Sequence, residues 1–333
     1  MDGCRDTSRK NWTSKKERFR DEPSIIYNDT QANHTYPNLR WIYNKYQLMS
    51  YLQTPCGTFT TSSPPSSTFP VYAKPKTNFL GMGLNSTKLI SPDEWKRFQS
   101  YLDTSVENYF WQPYYQGTHW SIDLVFEQGF LQQSVWFYAK KENDVQFTAW
   151  TLAYIHSNKS FHEMYDINHD AKQRIETILQ LMNDHSFTGI INIEMIGSHI
   201  IEIHLRMGDI CHLPHIDQSI RSLYTRGQWI PLPEKKNIHK SPFHLIPCFV
   251  PPQPTYIYPW LEQKLENEPS ILHYQICRTY PTFDELFEPF VGSIAHEYRI
   301  CNFAVTSLEE GLRIQTSILS TLSPKDKDLS KNP

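Results

Sequence analysis

The chain has 333 residues, 39% hydrophobic and 14% aromatic, with a formal net charge of −3. That length can bury a large core in one or two domains, and the aromatic content excludes disorder over most of the chain. The near-neutral balance excludes a global attraction to phosphate backbones or anionic membranes.

No apolar run approaches the ~18 residues that a membrane helix needs, and the N-terminus lacks an apolar signal core. A soluble, cytoplasmic protein is the expectation. Cys4, Cys56, Cys211, Cys248, Cys277 and Cys301 form no CxxC pair, which suits reduced thiols.

Residues 1–38 are polar and carry the basic cluster Arg5, Arg9, Lys10, Lys15, Lys16, Arg18 and Arg20; a solvated, mobile tail is expected. From Leu39 a helix runs through Tyr43, Lys45 and Leu48 to Leu52. The loop "PCGTFTTSSPPSSTF" follows, then a short strand, "FPVYAKP", and a glycine-containing stretch, "KTNFLGMGLNSTKLI". "SPDEW" opens the next helix, with Ser91 as N-cap, Pro92 at N1 and Glu94 completing a capping box. "YFWQPYYQGTHWSIDLVFEQGFLQQSVWFYAKK" alternates like two antiparallel strands about Gln128-Gly129. A helix from near Asp170 puts Ile175, Ile178, Leu179 and Met182 on one face.

Beyond Pro231 the composition shifts, and "PCFVPPQPTYIYP" resembles a boundary. A strand, "YRICNFAV", and a helix, "SLEEGLRIQTSILSTL", end the ordered part, with a charged tail from Pro324. There are no internal repeats. Strands and helices intermix without a regular βαβ alternation, which predicts an α+β architecture.

The chemistry concentrates between Asn192 and Arg206. "INIEMI" and "IIEIHLR" each alternate with period two, as half-buried strands do. Pairing them as a hairpin sets Asn192, Glu194, Glu202, His204 and Arg206 on one face. A two-residue loop at Gly197-Ser198 would oppose Glu194 to Ile201 and mix the faces. A three-residue loop opposes Glu194 to Glu202 and Asn192 to His204, and keeps the apolar face consistent. Two carboxylates then stand with Cβ atoms roughly 5 Å apart. Either a divalent cation or a network of Arg and Lys side chains must neutralise them. "CHLPH" (Cys211, His212, His215) reads as loop packing or as half a zinc site.

This arrangement resembles the ATP-grasp family, whose antiparallel hairpin carries an acid and then E-x-N-x-R. Glu194, Glu202 and Arg206 fit that pattern. "YNKYQL" is similar to the N-D-K helix start, with Lys45 as its lysine, and "FPVYAKP" to the strand whose lysine, here Lys74, contacts phosphate. "GMG" falls at the family's mobile glycine loop (Gly81, Gly83), and "QPYYQGTHWSIDLVFEQG" resembles the hinge E-x-Y-I-x-G-x-E-x-S-x-D, with Gly117, Ser121 and Asp123 retained. Among the departures from the pattern, His119 stands where the family has the ribose-binding glutamate, and His204 where it has the metal-binding asparagine.

The resemblance implies two α+β subdomains with the nucleotide between antiparallel sheets. Residues 39–116 would form the first and 117–231 the second, followed by an accessory region 232–323 and a tail 324–333. It implies an ATP-dependent ligase that joins a carboxylate to an amine through an acyl phosphate. Lys45, Lys74, Gly81, Gly83, Gln112, Tyr114, Tyr115 and His119 would bind the nucleotide. Glu194, Glu202 and His204 would hold Mg²⁺ (or Mn²⁺), with Arg206 and Lys74 catalytic. A partner protein supplying a substrate domain, a small-molecule kinase, and a degenerate module that binds without turnover are the open alternatives.

Overall fold

The computed structural model describes residues 24–26, 28–60, 63–77, 86–141, 147–158, 169–213, 216–233, 243–250, 257–276 and 298–322. The described elements in chain order begin with α1 (Asp29–Thr35), a 3₁₀ turn (Pro37–Tyr43), α2 (Lys45–Tyr51), β1 (Gly57–Thr58), β2 (Val71–Pro75) and β3 (Thr87–Leu89). Next come α3 (Pro92–Leu102), β4 (Tyr109–Pro113), β5 (His119–Glu127), β6 (Phe130–Lys141), β7 (Phe147–Ser157) and α4 (His169–Asp184). After β8 (Gly189–Ile196) and β9 (His199–His204) follow α5 (Asp217–Arg226), β10 (His244–Val250), α6 (Ile257–Asn267), β11 (Ile271–Ile276), β12 (Tyr298–Val305) and α7 (Leu308–Leu322). The α+β expectation holds.

The strands form two antiparallel sheets, a small one in the order β1-β4-β2-β3 and a large one in the order β11-β12-β10-β7-β6-β5-β8-β9. In the small sheet Val71, Ala73, Leu89 and Trp111 pack with Trp95 and Leu102 of α3. Pro92 opens that helix, Ser91 Oγ accepts from the Glu94 N–H at 3.3 Å, and Glu94 Oε2 accepts from the Ile90 N–H at 2.8 Å. The glutamate thus reaches one residue beyond the expected capping box.

The large sheet is covered on both faces. Ile122, Leu124, Ile191 and Ile193 pack with Ile175, Ile178 and Met182 of α4, while Val125, Val135 and Ile190 pack with Ile220 and Leu223 of α5. Leu181 replaces Leu179 among the buried residues of α4, and Leu179 is only partly buried. At the β5–β6 turn Gln128 and Gly129 both have positive φ, 48° and 86°, the backbone that a two-residue hairpin demands.

Two stretches differ from expectation. Beyond Pro231 the chain adds β10, β11 and β12 to the large sheet itself, under α6 and α7. Gly311 of α7 lies so close to β10 and β12 that a Cβ would stand 2.7 Å from Val305 and 2.8 Å from Ile246. The N-terminal tail also ends earlier than position 38: Ile25, Ile26 and Ala32 are buried in the core. Asn28 caps α1 by accepting from the Gln31 N–H at 2.8 Å.

Candidate functional site

Opposed residues of an antiparallel pair share a face. Lys74 of β2 opposes Phe110 of β4, and Tyr72 opposes Gln112, so these four look away from the α3 side of the small sheet. Lys88 opposes Tyr72 and lies 3.7 Å from the centre of the Tyr114 ring. Gln112 is 2% exposed and its Oε1 has no hydrogen-bond partner. Lys74 is buried with its Nζ 5.5 Å from the Tyr72 ring centre, and no described residue forms an ion pair with it. Burial, and then the charge of Lys45, push its amine down to about 8 against the pull of Glu202 and Glu194.

Lys45 begins α2 after the N-cap Asn44, whose side chain accepts from the Gln47 N–H at 3.1 Å. The Lys45 N–H donates to the Lys76 carbonyl at 2.7 Å, which ties the helix to the end of β2. The Lys45 ammonium reaches across to Glu202 Oε1 at 2.9 Å.

The large sheet supplies the opposite wall. Asn192 opposes His204 and Glu194 opposes Glu202, as expected, but the loop differs from the three-residue one. Ile196 opposes His199 and Met195 opposes Ile200 across a two-residue turn at Gly197-Ser198, and a register shift at Ile201 restores the carboxylate pairing. A bulge residue does what an odd loop was expected to do.

Each carboxylate has protein partners. Glu194 Oε2 lies 3.3 Å from His119 Nε2, while His204 Nε2 stands 3.8 Å from Glu194 Oε1 and 3.6 Å from Glu202 Oε1. Burial works to raise the Glu194 pKa. The hydrogen bond to His119 and the charges of His119, His204 and Arg206 outweigh it and hold the acid well below the usual range. His119 thus faces Glu194, and its Nδ1 is buried without a partner.

Arg206 sits beside Asp29, with Nε 3.4 Å from Oδ1, and donates to the Met207 carbonyl at 3.2 Å. Asp29 also lies 3.1 Å from His204 Nδ1 and accepts from the Tyr43 hydroxyl at 3.2 Å. Burial opposes its ionisation, but Arg206 and His204 overcome it and hold the carboxyl well below its ordinary value. Sequence reasoning missed Asp29. The signal was present in "NDTQ": an Asn N-cap with Gln three residues on marks a helix start.

Asp123 and Ser121 are structural. Asp123 accepts from the Gly208 N–H at 2.6 Å and the Ile210 N–H at 2.8 Å, and Asn192 Nδ2 donates to Ser121 Oγ at 2.9 Å. Burial, with the charge of Asp209, pushes the Asp123 carboxyl up to about 7.

Between the sheets, Tyr115 stacks on His199 at 3.8 Å and 11°. Its hydroxyl has no partner, and burial pushes it up to about 12. Gly117, with φ +126°, passes the hairpin tip so closely that a Cβ would stand 3.1 Å from Gly197 Cα.

Gly81 and Gly83 lie outside the described residues, as does His215. Cys211 Sγ donates to the Gly208 carbonyl, and His212 Nε2 lies 3.5 Å from Asn302 Nδ2. Among the described residues no group of three or more His, Cys, Asp or Glu is arranged to hold a metal ion. Two carboxylates beside a buried, unpaired lysine nevertheless suit Mg²⁺ with a polyphosphate, because that ion completes its octahedron with phosphate oxygens and water.

No family model and no curated protein matches the sequence. Solved structures do match. A carboxyaminoimidazole ribonucleotide synthase from Aspergillus clavatus, complexed with ATP, is 13% identical with a TM-score of 0.53, over 85% of this chain and 74% of that one. An N5-carboxyaminoimidazole synthetase from Staphylococcus aureus, complexed with ADP, is 11% identical with a TM-score of 0.54, over 85% and 72%. The N5-carboxyaminoimidazole ribonucleotide synthetase from Thermus thermophilus is 10% identical with a TM-score of 0.53, over 87% and 76%. The chain therefore shares their fold.

Proposed function

Starting from the ATP-grasp fold, we propose that the chain is an ATP-dependent, ADP-forming ligase that joins a carboxylate to an amine or another nucleophile. One observation carries the reading: Lys74 of the small sheet, buried without a counterion, stands within electrostatic reach of Glu194 and Glu202 on the large one. An uncompensated buried ammonium is expensive, and a polyphosphate removes the expense.

ATP would give its γ-phosphoryl group to the carboxylate, releasing ADP and forming an acyl phosphate; the amine would then attack the acyl carbon and inorganic phosphate would leave. Glu194 and Glu202 hold the divalent cation, Mg²⁺ with Mn²⁺ as a substitute, and Lys45 leaves Glu202 to share in neutralising phosphate charge. Lys74 neutralises the same anion from the small sheet. Arg206, held at one edge by Asp29, offers its remaining N–H groups to the developing oxyanion. Gln112 and the Tyr114–Tyr115 segment form the base-binding wall. Positioning and electrostatics supply nearly all the rate in such chemistry. No helix among the described residues is long and apolar enough to cross a membrane. Among the described residues no disulfide joins Cys56, Cys211, Cys248 and Cys301, which supports a reducing compartment, the cytoplasm.

A second reading has its own support. Lys45 already pairs with Glu202 and His119 with Glu194, so both acids are partnered within the protein; a module that binds nucleotide without turnover would look the same. Calorimetry with ATP, with and without Mg²⁺, comes first. ADP release over a panel of amino acids and small carboxylates, with hydroxylamine present, then separates the readings. A ligase yields ADP and a hydroxamate, a kinase yields ADP and a stable phosphorylated product, and a non-catalytic module binds without ADP. Absence of any nucleotide binding overturns the nucleotide site itself.

A further inference from the structure

We propose that Asp29 is a positioning residue for the carboxylate pair: it fixes the His204 ring with Nδ1 as the donor, so that Nε2 stays turned toward Glu194 and Glu202. The proposal rests on the ligase reading for the ligand it serves.

Both Asp29 oxygens lie 3.1 Å from His204 Nδ1. An ionised carboxylate only accepts hydrogen bonds, so the proton between them belongs to the imidazole. That places a hydrogen on Nδ1 and fixes the ring orientation together. Nε2 is then the atom that faces the glutamates, 3.8 Å from Glu194 Oε1 and 3.6 Å from Glu202 Oε1.

The hold is rigid at both ends. His204 is 3% exposed and Asp29 8%. The Asn28 cap sets the backbone at Asp29, and Tyr43 fixes the carboxylate by donating to Oδ1 while accepting from the Leu205 N–H at 3.2 Å. Asp29 lies 175 residues before His204 in the chain, so the contact exists only because the N-terminal segment packs beneath β9. Carboxylates that orient imidazoles in this way typically contribute 10–100-fold to affinity or activity at the site they support.

The experiment uses the full chain as wild type, Asp29→Asn, Asp29→Glu, His204→Asn and the double variant Asp29→Asn/His204→Asn. Long-range ¹⁵N–¹H spectra, with His204 identified by its loss in His204→Asn, report which ring nitrogen carries hydrogen. Calorimetry with a non-hydrolysable ATP analogue and Mg²⁺ reports affinity. The expected result is a protonated Nδ1 at His204 in the wild type, lost or exchanged in Asp29→Asn. Affinity should fall 10–100-fold in that variant and partly return in Asp29→Glu. The double variant should lose less than the product of the two single losses, because Asp29 acts through His204.

A wild-type His204 without hydrogen on Nδ1 overturns the proposal, and needs no variant to fold. Losses that multiply in the double variant overturn it too. A wild-type chain that binds no nucleotide overturns the ligase reading instead, and the nitrogen signature then decides the role of Asp29.

Discussion

Replacing Lys74 with methionine tests the central site in the absence of any ligand. Lys74 is buried without an ion pair, and its pKa falls from 10.5 to about 8. That drop corresponds to roughly 3 kcal/mol by which the folded chain disfavours the charged amine. The sign follows from linkage: between pH 8 and 10.5 the unfolded chain holds the proton and the folded chain does not, so stability rises with pH across that window. Below pH 8 the whole penalty is present. Lys74→Met keeps the approximate volume and removes the charge, so it should stabilise the ligand-free chain at pH 7 by about 1–3 kcal/mol and lose most of that advantage by pH 10. The assay is urea denaturation of both proteins at pH 7, 8.5 and 10. Taking the difference between them cancels other titrating groups. In the same variant, affinity for Mg²⁺ with an ATP analogue should fall at least 100-fold. Wild-type affinity should weaken as pH rises through 8, by up to tenfold per pH unit. A destabilised Lys74→Met at pH 7, or a difference that does not change with pH, refutes the claim that an uncompensated cation is stored at this position.

Gly208→Ala should destabilise the chain by about 1–3 kcal/mol in denaturant titration, since the new Cβ would stand 2.3 Å from Asn192 Nδ2 and 2.9 Å from Asp123 Oδ1. Asp123, pushed up to about 7, gives stability that is fully present below its unfolded pKa and is lost as pH rises toward 7. Asp123→Asn should therefore flatten the pH slope of unfolding between pH 4 and 7, whatever its absolute offset. Gly117→Ala should lower the melting temperature and weaken nucleotide binding together, because φ +126° is strained for alanine and the hairpin tip leaves its Cβ 3.1 Å from Gly197 Cα.

Much of the site was legible because each part is local. Period-two alternation placed Glu194 and Glu202 on one face, and the apolar faces of the two strands demanded that they oppose each other. The same rule set Lys74 on a short strand. The bulge at Ile201 was not legible. A two-residue turn with a bulge and a three-residue loop satisfy the same pattern, and the choice depends on how Ile200 and Ile203 pack in the core. The final strand and helix were readable, whereas β10 and β11 were not foreseen: a proline-rich composition conceals strands whose pairing partners lie far along the chain.

By itself the sequence determined which residues could share a face, because the periods of strand and helix are properties of the backbone alone. Only the tertiary structure decided what each polar face meets. Asp29 reached His204 and Arg206, and His119 reached Glu194, because burial brought segments far apart in sequence into one desolvated cluster. There a charge left unpaired costs more than the chain entropy spent in bringing it a partner.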